Sequence, residues 1–147
     1  MGSTIGANTC VVHAGRLLEI VVGAGYHSVA DVDEMIRLIG ATIARQPVTK
    51  RVVIAADWRR CRVFTPEVAD RARMMLESAN PRVERSAILH LTDQPTSTLQ
   101  VLRIVREAHH RDNRRLFTDE TQMARWLGEV LDEAEQARVR AFLSEPR

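Results

Sequence analysis

A chain of 147 residues that is 45% hydrophobic and 27% charged has the size and balance of one globular domain, able to bury about two-thirds of the surface its unfolded form exposes. A formal net charge of +2 with only three Phe, two Trp and one Tyr speaks against nucleic acid as a partner, since single-strand binders need stacking platforms in a basic groove. No apolar run approaches the ~20 residues of a membrane-spanning helix, so no membrane insertion is expected.

Residues 1–8 read as a disordered or tag-like start. They hold no positive-then-apolar leader, and Gly6 stands where a myristoylation signal needs Ser or Thr; a cytoplasmic location is expected. Thr9–His13 and Arg16–Val22 are strand-like runs joined by Ala14-Gly15, which suits an antiparallel hairpin. Gly23-Ala24-Gly25 releases the chain, Ser28 and Asp31 form a capping-box pattern, and Val29, Val32, Met35, Ile36, Ile39 and Ile43 mark one helical face up to Gln46-Pro47.

Lys50–Asp57 is a short unbroken apolar run opened by charge and closed by Asp-Trp-Arg-Arg, the pattern of a central strand covered on both faces. The loop Trp58–Phe64 carries Arg59, Arg60 and Arg62 between two aromatics. Thr65-Pro66-Glu67 then opens a second helix with a Thr cap and Pro at its first position. Asn80-Pro81 stops that helix, and Ser86–Thr92 supplies another strand. A third helix carries Leu99, Leu102, Val105 and Ala108; Leu116-Phe117 is a very short last strand, and Thr118-Asp119-Glu120 caps a helix with Met123, Trp126, Leu127, Val130 and Leu131 inward. Residues 9–131 are expected to form a single domain, with 132–147 a C-terminal helical extension.

Strand, helix, strand repeats imply parallel strands with crossover helices, hence an α/β fold: a mixed, mostly parallel sheet of four or five strands with an N-terminal hairpin and four helices mainly on one face. Alternation along Ser86–Thr92 separates Ala87, Leu89 and Leu91 from Ser86, Ile88, His90 and Thr92. This predicts one apolar face under the helices, and a partly open face that holds Glu19, Ser86 and His90, offers a surface for a partner and would let His90 pair with Glu19.

Cys10 and Cys61, the only cysteines, are too few and too far apart for a disulfide framework or a zinc site, and no cofactor or metal is expected. Adjacent His109 and His110 point ~100° apart on a helix and cannot chelate alone. Cys61 between Arg60 and Arg62 is a reactive thiol if exposed; the favoured reading is a small packing residue in the loop. Asp57 ends a central parallel strand, where receiver domains carry a phospho-accepting Asp, but the acidic pair and late Lys of a receiver are missing. The Arg59, Arg60, Arg62 loop and the Arg111, Arg114, Arg115 turn would form an anion site if they converge.

The order of elements, together with Arg115-Leu116-Phe117-Thr118-Asp119-Glu120 and Ala124-Arg125-Trp126-Leu127, resembles the SpoIIAA-like family, the STAS fold and its SEC14-like relatives, over about Cys10 to Leu131. The resemblance implies strands in roughly sequential order, helices stacked on one side, and a non-enzymatic regulatory or protein-interaction role, with self-association into a dimer through the mixed face or the C-terminal helix. Sigma-factor antagonists of this fold are switched by phosphorylation of a Ser at the start of the helix after the central strand. Here that place reads Phe64-Thr65-Pro66-Glu67, so the Ser is absent and Thr65 is expected to be an N-cap. A SEC14-like carrier is the alternative, holding a small apolar or anionic ligand beside Trp58, Phe64 and the arginines. A hydrolytic or redox enzyme using Asp57, Cys61 or His90 is the weaker one.

Overall fold

The apolar run at the heart of the sequence becomes the middle strand of a five-stranded sheet whose strands lie side by side in chain order. The structure is a computed structural model that describes residues 7–91, 93–108 and 112–146. Strands β1 (Asn8–Ala14) and β2 (Leu17–Val22) form the antiparallel hairpin, while β3 (Val52–Asp57), β4 (Val83–Leu89) and β5 (Arg114–Phe117) continue it in parallel. The hairpin turn needs Gly15, because its φ is +54° and a Cβ there would lie 2.1 Å from the Glu135 carboxylate.

Five helices surround the sheet: α1 (Val29–Ala44), α2 (Pro66–Ala79), α3 (Pro95–Glu107), α4 (Glu120–Gly128) and α5 (Glu133–Ser144). Their starts are dictated locally. Ser28 and Asp31 close the expected capping box on α1, Thr65 Oγ1 accepts from the Val68 amide at the start of α2, and Asp119 caps α4 through the Gln122 amide. The tail beyond α4 forms a separate helix, opened by a second capping box between Asp132 and Glu135.

The crossover helices stack on one face as expected, but the second face, expected to be only partly covered, needs correction. The crossover helices α1, α2 and α3 share a face, where Leu18, Ile20, Ile54, Ala56 and Ile88 meet Val32, Met35, Val68, Met75 and Ile104. The other face carries α4 and α5, whose Met123, Trp126, Leu127, Val139, Phe142 and Leu143 cover Leu17, Val53, Ala55, Ala87 and Leu89. The physical reason lies in β3, which is apolar on both sides and buried at every residue; three helices on one side leave Val53 and Ala55 to be covered by the only elements remaining.

The assignment of faces is corrected with it. Ser86 and Ile88 alternate toward α1–α3, so the mixed side of β4 is the crossover side, whereas Glu19 points to the α4–α5 side. Neither sheet face is open, and the mixed face suggested for a dimer is covered by helices of the same chain. No helix among the described residues is long and apolar enough to cross a membrane.

Phe142 is 2% exposed in the second core. Replacing it with Ala should lower the free energy of unfolding by about 3–5 kcal/mol, the usual cost of emptying an aromatic site, as read by chemical denaturation. A loss below about 1 kcal/mol would contradict the docking of α5 on the sheet.

Candidate functional site

A candidate site lies at the edge where β2, β3 and β4 finish. There, two loops part to form a cleft of about 430 Å³: Gly23–His27 after β2, and the segment Arg59–Phe64 after β3, with Leu91 and Gln94 closing the side next to α3. Strands in sequential order with all crossovers on one face have no topological switch point, the usual origin of a crevice in open α/β sheets. The opening here comes from loop shape.

Each loop is held from beneath. Asn8 on β1 fixes the first, its Oδ1 accepting from the Ala24 amide at 2.9 Å and its Nδ2 donating to Gly25 O at 3.0 Å. Gly25 takes φ +76°, a conformation that disfavours any side chain. The exposed His27 ring donates from Nε2 to Ala24 O at 2.7 Å, since a carbonyl can only accept.

The second loop turns on Asp57. Its Oδ1 accepts from the backbone and Nε of Arg59, both at 3.0 Å, and its Oδ2 from Nη2 at 2.8 Å. The same guanidinium reaches Glu145 O at 2.8 Å and lies 3.6 Å from Glu120, tying this loop to α4 and to the end of α5. Asp57, 2% exposed, is thus a neutralised structural carboxylate that shapes the loop. Gln100 of α3 clamps Phe64 from both sides, accepting its amide at 2.7 Å and donating to its carbonyl at 2.9 Å.

Tyr26, Trp58 and Phe64 pack as a buried trio with centroids 5.7–6.1 Å apart. Tyr26 and Phe64 line the cleft, whereas Trp58 does not and borders an internal cavity of about 20 Å³, room for a single water rather than an apolar ligand. Burial drives the Tyr26 hydroxyl well above its ordinary pKa.

Arg59, Arg60, Arg62 and His27 line the cleft and, among the described residues, no Asp or Glu does. Arg59 is occupied internally; Arg60 and Arg62 are exposed and have no carboxylate partner among the described residues. The second arginine cluster does not join them. Arg114 and Arg115 enter β5 opposite Ser86 and Ala87, at the other end of the strands, and Arg111 lies outside the described residues. Arg114 is buried and donates to Asn80 Oδ1 at 2.7 Å and Leu76 O at 3.1 Å, and burial lowers its pKa to about 10, still cationic at neutral pH.

Two further readings are settled by burial and by face. Cys61 is fully buried, and desolvation pushes its thiol pKa far up rather than down, making it inert at neutral pH. His90 and Glu19 lie on opposite faces and do not pair. The His90 ring sits between Cys61 O at 3.1 Å, Ser97 Oγ at 3.2 Å and Thr98 Oγ1 at 3.0 Å, while Glu19 takes both arms of Arg138, at 2.9 and 2.6 Å, and His13 at 3.2 Å. Thr65 is the N-cap expected of it. His109, His110 and Thr92 lie outside the described residues, and among those described no group of three or more His, Cys, Asp or Glu is arranged to hold a metal ion.

Sequence reasoning gathered the loop arginines and Phe64 but missed Tyr26, His27 and Gln94. The one signal available for them was the Gly-Ala-Gly segment directly before Tyr26-His27, a place where a chain bends sharply at the end of a strand. No family model, curated protein or solved structure matches this chain.

The buried thiol gives a pH signature. Cys61 stays protonated in the folded state while an unfolded thiol ionises near 8.5, so the unfolded state binds fewer protons above that pH and stability falls as pH rises. Urea unfolding between neutral pH and pH ~10 should show a decline that approaches ~1.4 kcal/mol per pH unit for one thiol, partly relieved in Cys61→Ala. A wild-type stability that is flat over that range would contradict the buried thiol.

Proposed function

We propose that this chain is a non-catalytic binding module that recognises a phosphate or carboxylate group in the cleft at the carboxyl ends of β2, β3 and β4. The observation that carries this reading is a concave lining with three arginines and a histidine and, among the described residues, no acid, in which Arg60 and Arg62 make no ion pair with a described carboxylate. A guanidinium offers a planar fork of donors matched to two oxygens of such an anion. α3 adds the positive end of its dipole next to the cleft, because its N-cap Gln94 lines the cleft and makes no side-chain cap bond.

A regulatory, protein-contacting role of the STAS-like type fits this site where a protein bears the anionic group. The carrier alternative keeps its anionic half and loses its apolar half, because Trp58 and Phe64 are closed against Tyr26. The enzyme alternative has little to work with: Asp57 is held by Arg59, Cys61 is buried, His90 is satisfied internally, and none of the three lines the cleft.

Calorimetric titration with inorganic phosphate at low ionic strength tests the proposal. Saturable binding is expected, weakened at least about tenfold in an Arg60→Ala/Arg62→Ala variant, since each charge-assisted hydrogen bond contributes about 1.5–3 kcal/mol. Arg45→Ala, at the C-terminal end of α1 away from the cleft, should bind as the wild type does. Absence of saturable binding, or equal binding by the double variant, would refute the site.

A further inference from the structure

The two borders of the sheet are built differently. β5 is four residues long and opens with Arg114-Arg115, the second of which lays its guanidinium 4.9 Å from the Trp126 ring. β1 is seven residues long and among the described residues pairs only with β2. In a chain that is 27% charged, Asn8–Ala14 holds no Lys, Arg, Asp, Glu or Pro, and Val11 on it is 41% exposed. Natural sheets blunt a free border with such charges or prolines, because its unpaired amides and carbonyls are a template for another strand. β1 lacks both devices.

The direction of those free groups follows from the hairpin register. The Gly23 amide donates to Ala7 O at 3.1 Å, so Ala7, Thr9 and Val11 turn their peptide groups to β2, and the alternation of an antiparallel ladder turns those of Asn8, Cys10 and Val12 outward. This outward row is symmetric about Cys10. We propose that β1 pairs antiparallel with β1 of a second copy of this chain about a two-fold axis at Cys10, merging the two sheets into one.

In that pairing Cys10 faces the second copy's Cys10 and each Asn8 faces the other copy's Val12, giving about six main-chain hydrogen bonds. A two-fold makes one surface serve both partners, and no like charges meet across the new border because the strand carries none. Val11 gains cover on the α5 side, and the half-buried Cys10 and Val12 gain it beside α1. The pairing uses none of the cleft arginines, although Asn8, opposite Val22 at the cleft end of the hairpin, also holds the Gly23–His27 loop through its side chain.

Sedimentation equilibrium across the micromolar range, with amide hydrogen exchange read by NMR, tests it. The wild type should approach twice its 16.6 kDa mass, with the Asn8, Cys10 and Val12 amides protected as the dimer forms. Val11→Lys should raise the dissociation constant at least tenfold and expose those three amides, while Thr9 and Val11 stay protected through β2; Leu99→Lys, on exposed α3 surface, should leave the dimer intact. A wild-type mass of one chain at every concentration would overturn the proposal, as would a dimer in which Asn8, Cys10 and Val12 exchange freely. The wild-type exchange pattern decides the matter even if Val11→Lys does not fold.

Discussion

Val53 and Ala55 point to one side of β3 and Ile54 and Ala56 to the other, so the strand must be shielded twice, and most of the architecture follows from that burial. Three crossover helices between parallel strands pack on one side because each connection has the same hand. The second side is then left to whatever chain follows β5. α4 brings Met123, Trp126 and Leu127, and α5 adds Val139, Phe142 and Leu143. The short residues Ala55 and Ala87 in that layer leave room beneath two large rings.

Closing the second side creates an electrostatic demand, since a carboxylate moved out of water costs several kcal/mol unless it is paired and hydrogen-bonded. Glu19, 3% exposed, is met by Arg138 from α5, and Asp57 is met by Arg59, which also holds Glu145 O. The C-terminal helix is therefore attached at two buried carboxylates as well as through apolar contact. Arg114 plays the converse part on the other side, a buried cation whose partners are Asn80 and the Leu76 carbonyl at the negative end of α2.

Periodicity and cap chemistry made the strands, the hairpin, the central place of β3 and the starts of α1, α2 and α4 legible in advance, because those signals are local. The coverage of the two faces was not legible. Ser86 and His90 look like solvent-facing residues in an alternating strand, yet both are interior; His90 is satisfied by Cys61 O, Ser97 and Thr98, groups seven or more positions away. Spacing in a sequence cannot distinguish a polar residue that meets water from one whose partners arrive through folding. Cys61 is the packing residue favoured for it: its flanking arginines are exposed, while a turn at Trp58–Cys61 puts the thiol inside.

The candidate site shows the same division. The arginine-rich loop was visible as residues, but its sorting into one structural arginine and two free ones depends on Asp57 capturing Arg59, and its opposite wall, Gly23–His27, comes from a loop that carries no charge pattern. Together these produce a cationic concavity on rigid strand ends. The most direct measurement of that assignment is a proton–nitrogen NMR titration with inorganic phosphate. Saturable shifts confined to the amides of residues 23–27, 59–64 and 94–97 are the predicted result; shifts scattered over the arginine-bearing surface, or centred on α4 and α5, would contradict it.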